Sequence, residues 1–269
     1  MRIFCLYNVI FTLFMLLICN RGLADNYIIV NKKNVIHKFV PFDGPTDHFT
    51  QNIFLNWENE TFETFDKVKD SQTVAVDLGA WIGTTSIWLS KNFYHVIAVE
   101  PDIISLKCLR ANLAASECSN VSLCDQPVSD KNQVVIFGPR GNLLNESISS
   151  IKNDKTNQKD YATNSIIFKD LIDQYFYSND KLKDRKISFI KCDIEGGEEK
   201  ILEDILQFAY DNHCSVYMSF HVSWWQSRDI KDFNDLFNFF ETSCPIPDVC
   251  EFIKQNPFAS VLFQPKSLK

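Results

Sequence analysis

Two short segments of this chain carry residues whose types and spacing could bind a ligand. Residues 74–83 are an apolar run that contains Asp77 and ends in two glycines four positions apart, Gly79 and Gly83; a second apolar run ends in Glu100. Glycines at a strand-to-helix turn let the backbone approach a ligand closely, and an acid about 20 positions further on accepts hydrogen bonds from a ribose. We therefore expect Gly79, Gly83 and Glu100 to bind a nucleoside.

The spacing of these residues favours one cofactor over another. A dinucleotide such as NAD is bound by Gly-x-Gly-x-x-Gly, because its pyrophosphate lies on the helix N-terminus. Here the pattern is Asp77-x-Gly79-x-x-x-Gly83. A carboxylate at Asp77 repels a pyrophosphate but complements the ammonium group of a methionine moiety, directly or through water. The pattern predicts S-adenosylmethionine as the cofactor, and it disfavours the alternative of an NAD-dependent oxidoreductase.

These motifs need a scaffold of strands and helices that brings them together. Runs of β-branched residues are typical of strands buried in a parallel sheet, and apolar residues three to four positions apart are typical of helices packed on it. The sequence predicts an α/β fold with a doubly wound, mostly parallel, Rossmann-like sheet. The predicted strands include 73–78, 95–99, 120–125, 187–193 and 215–221, and the first two helices lie at about 82–91 and 102–115.

The sequence divides into three parts. Residues 1–24 have an apolar core behind Arg2 and small residues at their end, which is typical of a secretory signal peptide; an uncleaved signal anchor is the alternative. Residues 25–71 are aromatic and irregular, and we expect them to form an N-terminal cap. Residues 72–269 are expected to form the main domain. Its polar stretch 138–163 is expected to be a loop insertion, either a lid over a substrate or a solvated excursion.

The charge of the chain excludes one class of partner. The sequence has 27 Lys and Arg against 34 Asp and Glu, and the signal segment removes two arginines and no acid. Nucleic-acid binding relies on Lys and Arg side chains that neutralise phosphates. We therefore expect no nucleic-acid partner, and no second apolar segment of membrane-spanning length follows residue 24.

The cysteines and the N-glycosylation sequons indicate which cellular compartment the protein enters. An oxidising compartment allows disulfides, for which Cys244–Cys250 is the best local pair and Cys118–Cys124 the second, although buried free thiols are the alternative. The sequence has no Cys-x-x-Cys or His-x-x-x-His spacing, so a zinc site is not expected. Secretory transit agrees with three N-glycosylation sequons, which begin at Asn59, Asn120 and Asn145.

Taken together, the motifs resemble one known family. Residues 77–83 (DLGAWIG), 99–102 (VEPD) and 190–198 (IKCDIEGGE) are similar to motifs of the FkbM family of S-adenosylmethionine-dependent methyltransferases. The resemblance covers roughly residues 72–222, and Lys-x-Asp-x-Glu-Gly-x-Glu is its most distinctive part. Trp81 departs from it, since the family usually carries asparagine there. This departure bears on substrate fit more than on cofactor binding.

The resemblance implies an O-methyltransferase that requires no metal and acts on a small-molecule or glycan acceptor, most directly a sugar hydroxyl. A sulfonium methyl is already electrophilic, so the enzyme has to align donor and acceptor and remove a proton. Asp193, which ends the fourth strand, is the candidate for this role. Glu195 would share the work or cap the next helix. His221 would contact the acceptor or be structural.

Other positions are candidates for the adenine and the acceptor. Asp102, Asp125 and Gln126 follow the second and third strands and would bind the adenine, although each is also an ordinary cap or turn residue. Trp224 and Trp225 would stack on sugar faces or pack in the core.

A different class of function remains open. A non-catalytic binding or scaffold protein could retain this fold, because S-adenosylmethionine is made in the cytosol and an enzyme in the secretory lumen needs a supply of it. Asp77, Glu100 and Asp193 are expected at one rim of the sheet, and a site without activity has no physical reason to keep three convergent carboxylates. The sequence therefore favours an enzyme.

Overall fold

The structure, a computed structural model, describes residues 27–140, 149–152 and 154–266. The predicted signal segment 1–24 lies outside these residues. The strands are β1 (Ile28–Lys32), β2 (Val35–Phe39), β3 (Val74–Leu78), β4 (His95–Val99), β5 (Val121–Cys124), β6 (Val128–Ser129), β7 (Val134–Pro139), β8 (Ser149–Lys152), β9 (Tyr161–Asn164), β10 (Ile166–Ile167), β11 (Ile187–Cys192), β12 (Ser215–Ser219), β13 (Phe240–Thr242) and β14 (Ser260–Pro265). The α-helices are α1 (Pro45–His48), α2 (Asn59–Val68), α3 (Thr84–Asn92), α4 (Ile103–Ala115), α5 (Phe168–Ile172), α6 (Glu198–Asn212), α7 (Asn234–Phe237) and α8 (Val249–Gln255).

The central sheet has the strand order β13-β14-β12-β11-β3-β4-β5. The strands from β12 to β5 are parallel, whereas β14 pairs with β12, and β13 with β14, in the antiparallel sense. Apolar side chains pack on both faces of the sheet, with α5 and α6 on one face and α2, α3 and α4 on the other. The predicted α/β fold with a doubly wound, mostly parallel sheet is therefore confirmed. No helix in the described ranges is long and apolar enough to cross a membrane.

The N-terminal segment is more regular than the sequence suggested. Strands β1 and β2 form an antiparallel hairpin, and the two residues of its turn, Lys33 and Asn34, both have positive φ. Two left-handed residues at a tight turn match the twist of a hairpin, and Lys-Asn is a weaker signal for it than Asn-Gly. Phe39, Phe62 and other buried apolar residues of the segment pack against α3 and α4. The segment thus supplies one layer of the core.

The polar stretch 138–163 also differs from the prediction of a loop. Its described residues form strands β8 and β9, which pair with β7 in a three-stranded antiparallel sheet. One buried polar pair joins its strands, since the Lys152 Nζ atom lies 2.7 Å from the fully buried carboxylate of Asp160. Buried polar pairs of this kind remove the apolar alternation from which a strand is recognised.

The cysteines differ from the expected disulfide pairs. All seven cysteines of the described chain are free thiols, so neither Cys244–Cys250 nor Cys118–Cys124 is joined. Ser90 Oγ donates to Cys118 Sγ at 2.9 Å, and Cys250 Sγ donates to the Ile230 oxygen. The C-terminal residues fold as helix α8 followed by strand β14, which extends the central sheet.

Candidate active site

A cavity of about 400 Å³ opens at the carboxyl ends of the parallel strands. The chain runs from β3 to β4 and β5 on one side and places β11 on the other side of β3, so the strand order reverses between β3 and β11. Open α/β sheets bind ligands at such a switch point. Gly79, which follows β3, and Asp193, which follows β11, both line this cavity.

The two predicted glycines have different roles. Gly79 has φ +80°, and a Cβ atom placed on it would lie 1.8 Å from the backbone oxygen of Asp193. Gly83 has φ +96° and precedes α3, and a Cβ there would meet the Leu109 side chain at 2.9 Å. Gly79 therefore lets the loop after β3 cross the end of β11 beside the cavity, whereas Gly83 lets α3 pack on α4.

Glu100 is a buried carboxylate in the cavity wall. Its Oε2 atom accepts a hydrogen bond from the Trp81 backbone nitrogen at 2.7 Å, and its Oε1 atom accepts one from the Asp102 backbone nitrogen at 2.8 Å. Burial raises the pKa of Glu100 to about 8, against the lowering effect of these two bonds. Each oxygen keeps a lone pair, so the carboxylate can also accept the two hydroxyls of a ribose.

Asp77 lies beneath the cavity rather than in its wall. Thr85 and Ser86 donate hydroxyl hydrogen bonds to its Oδ2 atom at 2.8 and 2.6 Å, and its Oδ1 atom lies 3.3 Å from Lys191 Nζ. Asp77 is fully buried and is not among the cavity-lining residues, and its contact with a methionine ammonium group, directly or through water, stays a prediction. Its charge holds Lys191.

Lys191 is a site residue that sequence reasoning did not assign. Parallel pairing places it opposite Asp77, and its Nζ atom donates to the Gly79 oxygen at 2.6 Å. Burial alone lowers the pKa of Lys191, but the charges of Asp77 and Asp193 outweigh burial and raise it. Lys191 therefore ties the glycine loop to β11. The available signal was a lysine inside an otherwise apolar strand.

The three adenine candidates separate in the structure. Asp102 lines the cavity, but its Oδ1 atom caps α4 through the Ile104 and Ser105 nitrogens. Asp125 is exposed, and the Gln126 amide donates to the Asn164 backbone oxygen at 3.4 Å. Neither Asp125 nor Gln126 is among the residues that line the cavity. The next two residues, Pro127 and Val128, line it instead.

The three catalytic candidates come together as predicted. Asp193, Glu195 and His221 all line the cavity, and His221 Nε2 lies 3.7 Å from Asp193 Oδ1 and 3.5 Å from Glu195 Oε2. On its other side, His221 Nδ1 donates to the fully buried carboxylate of Glu198 at 3.0 Å. The imidazole also stacks on Trp224, with ring centroids 5.0 Å apart.

Mutual charge and burial set the protonation of this cluster. Burial alone lowers the pKa of His221, but its hydrogen bond to Glu198 and the charges of Glu198, Asp193 and Glu195 outweigh burial and raise it to about 9. Burial and the charge of Asp193 raise the pKa of Glu195 to about 7. Perturbed groups that share one cavity are typical of functional sites.

The N-terminal segment contributes a further part of the cavity that the sequence did not reveal. Glu58 lines the cavity, and burial together with the charge of Asp193 raises its pKa. Phe49 and Trp57 also line it, and Phe49 meets Trp81 edge to face at 4.9 Å. Trp81 has φ +47°, a conformation that asparagine tolerates better than a bulky residue does. Its replacement of the usual asparagine therefore builds an aromatic wall at some cost in backbone strain.

Trp224 and Trp225 belong mainly to the packing around the cluster. The Arg140 guanidinium lies 4.6 Å from the Trp224 ring centroid, and Trp225 packs on Phe220 and Phe233. Neither tryptophan is among the cavity-lining residues.

The fold and the cavity together define a class I methyltransferase. The model of the family described as "Methyltransferase FkbM domain" matches residues 77–244, which is more than half of the sequence. The chain belongs to this family, and the resemblance read from its motifs is confirmed. Among curated proteins, none matches this sequence.

The solved structures that are similar to this chain share little sequence with it. Methyltransferase FkbM from Methylobacillus flagellatus KT is 16% identical with a TM-score of 0.46, and the match covers 81% of this chain and 55% of that one. An rRNA methylase from Streptococcus thermophilus is 11% identical with a TM-score of 0.44, covering 77% and 95%. SMU.1697c from Streptococcus mutans, in complex with SAH, is 11% identical with a TM-score of 0.41, covering 76% and 96%. This chain thus spans little more than half the length of the FkbM structure.

Proposed function

We propose that this methyltransferase transfers the methyl group of S-adenosylmethionine to a hydroxyl oxygen of a glycan or a small sugar-like acceptor. The observation that carries the proposal is one cavity with a ribose-type carboxylate, Glu100, and a carboxylate–histidine cluster around Asp193 in its wall. The first suits a nucleoside donor, and the second suits an acceptor that must lose a proton.

In this reaction, the residues of the site have to align the acceptor hydroxyl and remove its proton. The acceptor oxygen attacks the methyl carbon in line, the carbon–sulfur bond breaks with its electron pair on sulfur, and the hydroxyl proton is lost. Asp193 and Glu195 are carboxylates that line the cavity beside one another and can orient the hydroxyl or take its proton. His221 lies within 3.7 Å of both carboxylates, so its charge acts on each of them. Alignment of the two reacting atoms supplies much of the rate enhancement in such a transfer.

The surroundings of the cluster favour a sugar over a nucleic acid. Phe258 lines the cavity with 58% of its surface exposed and meets the His221 ring edge to face at 5.8 Å. An exposed aromatic ring stacks well on the apolar face of a sugar. The formal net charge of −7 disfavours a polyanionic acceptor such as RNA.

A panel of acceptors tests the proposed reaction. We expect methyl transfer from S-adenosylmethionine to free sugars or glycans that carry unmodified hydroxyls, measured by mass spectrometry of the product. RNA and protein acceptors serve as controls. Transfer to RNA or protein amide nitrogen without any transfer to hydroxyl compounds would reject the acceptor class.

Cofactor binding is expected to tighten as the pH rises. The pKa of Glu100 lies near 8, and its ionised form is the one that accepts two ribose hydroxyls, so S-adenosylmethionine affinity should increase by up to about tenfold per pH unit between about pH 6 and pH 8. Glu100→Gln should flatten this profile and weaken binding by about 1.5 to 3 kcal/mol at high pH. Calorimetry with S-adenosylmethionine and with NAD measures both effects. Tight NAD binding, or unchanged affinity in the variant, would contradict the assignment.

We also propose that the protein enters the secretory pathway. Asn59 is exposed, whereas the Asn120 amide nitrogen donates to the backbone oxygens of Ser90, Phe93 and Tyr94. In a eukaryotic host we therefore expect a glycan at Asn59 and none at Asn120, on a chain that begins at Asp25. Mass spectrometry of secreted material checks this, and an intact Met1 without glycans would contradict it.

A further inference from the structure

The cluster of Asp193, Glu195 and His221 has the dimensions of a metal site. The atoms that each residue offers lie within 4.8 Å of one another, and His221 Nε2 is 3.5 Å from Glu195 Oε2 and 3.7 Å from Asp193 Oδ1. Around an octahedral cation with bonds of about 2.1 Å, adjacent ligands lie about 3.0 Å apart and opposite ligands about 4.2 Å apart. The two distances from His221 Nε2 lie between these values, and the three ligand atoms lie within 4.8 Å of one another, so small side-chain shifts would bring them to the spacings of a bound cation.

We propose that Asp193 Oδ1, Glu195 Oε2 and His221 Nε2 bind one divalent cation that holds the acceptor hydroxyl. A set of one imidazole and two carboxylates suits a cation such as Mn²⁺ or Zn²⁺. The proposal rests on the proposed function, since all three residues line the cavity and the remaining positions on the cation would face the acceptor. The family resemblance implied that no metal is required, and this proposal departs from that expectation.

The orientation of His221 is set for a ligand on its Nε2 side. Its Nδ1–H donates to Glu198 Oε1, and that carboxylate is fully buried and also accepts from the Ile194 backbone nitrogen. Metal-binding histidines almost always donate their other ring N–H to such a partner. On the facing side, Glu195 Oε2 is buried and has no hydrogen-bond partner. A cation between His221 and Glu195 would satisfy it.

The charges around the cluster also favour a cation. Lys191 lies 3.3 Å from Asp77, which is closer than its 3.8 Å separation from Asp193. Arg140 donates to the backbone oxygen of Glu195 rather than to its carboxylate. The carboxylates around His221 therefore keep negative charge that a divalent cation would neutralise.

Such a cation would act directly on the acceptor. A coordinated hydroxyl has a lowered pKa, because the cation stabilises the oxyanion as it forms. The oxygen would then attack the methyl carbon, the carbon–sulfur electron pair would stay on sulfur, and the hydroxyl proton would pass to the carboxylate of Asp193 or Glu195 and then to water. The cation itself is neither oxidised nor reduced.

Direct binding of Mn²⁺ alone tests the site without donor or acceptor. After treatment with EDTA and removal of the chelator, we expect the full chain to bind one Mn²⁺, measured by the loss of the free-ion signal in electron paramagnetic resonance. Glu195→Gln and His221→Ala should each weaken binding by at least about 100-fold, and Glu198→Gln by about 10- to 100-fold through loss of the histidine orientation. Glu203→Gln, an exposed acid on α6, is the matched control and should bind as wild type.

Turnover distinguishes this proposal from the proposed function. We expect EDTA treatment to abolish methyl transfer and Mn²⁺ to restore it, with S-adenosylmethionine affinity unchanged in both states. Thermal unfolding of each variant identifies loss of fold. Absence of Mn²⁺ binding at millimolar concentration, equal binding in the Glu195→Gln variant, or full turnover after EDTA treatment would overturn the cation site while leaving methyl transfer itself intact.

Discussion

Asp193→Asn is expected to lower the turnover of methyl transfer by about 10²- to 10⁴-fold, which is the usual contribution of a group that handles the proton of the reacting atom. The change is nearly isosteric but removes the charge that faces the acceptor. Asp193 lines the cavity with 24% of its side chain exposed, so the variant loses no buried packing. Product formation under saturating donor measures the effect.

Two further measurements separate chemistry from binding and folding in this variant. Asp193→Asn should bind S-adenosylmethionine as wild type does, because Glu100 carries the ribose contact at another part of the cavity wall. Asp66→Asn, an exposed aspartate paired with Lys69 on the surface, is the matched control and should keep full turnover. Near-full turnover of Asp193→Asn with normal donor affinity would move the proton-handling role to Glu195.

The central sheet could be predicted because the sequences of its strands show that they are buried. Val74–Leu78 and Ile187–Cys192 are buried over nearly their whole length, and strands covered on both faces read as continuous apolar runs. The carboxyl ends of such strands meet at one edge, so residues that follow them, Asp193 and His221 among them, were expected to converge. The structure brings them together for that reason.

Other parts of the site depend on contacts that no local pattern reveals. Glu58 enters the cavity from the N-terminal segment, 135 positions before Asp193 in the sequence, and only the packing of that segment brings it there. Lys191 looks out of place in a buried strand until Asp77 is found opposite it in the parallel register. Such cross-strand pairs become visible once the order of the strands is known.

The same limit explains why the sequence does not fix what each side chain near the cavity contacts. Asp77 has the right type and spacing for a ligand contact, but its carboxylate is used by Thr85, Ser86 and Lys191 below the cavity. Asp125 follows a strand end as expected, yet it is exposed. Sequence position places a residue near the rim, whereas the direction of its side chain follows from the tertiary contacts.

Gly79→Ala is expected to destabilise the fold by more than about 4 kcal/mol, a loss that belongs to the exceptional class for a single substitution. The left-handed φ of +80° alone costs an alanine about 1 to 2 kcal/mol. The larger part comes from the backbone of Asp193, whose oxygen and carbon would lie 1.8 and 2.9 Å from the new Cβ atom. A backbone atom cannot rotate away as a side chain can.

Relief of that clash would require the ends of β3 and β11 to separate, and two interactions oppose it. The Asp193 nitrogen donates to the Leu78 oxygen at 3.0 Å, and Lys191 on β11 donates to the Gly79 oxygen. Urea unfolding measures the free energy of unfolding of Gly79→Ala and of a control, Gly44→Ala. At Gly44, φ is −148° and the nearest atom to the new Cβ lies at 3.9 Å. The control should therefore lower the stability by less than about 1 kcal/mol. If Gly79→Ala unfolded within 1 kcal/mol of wild type, the close crossing of the glycine loop and β11 would be wrong, and with it the placement of Asp193 at the cavity.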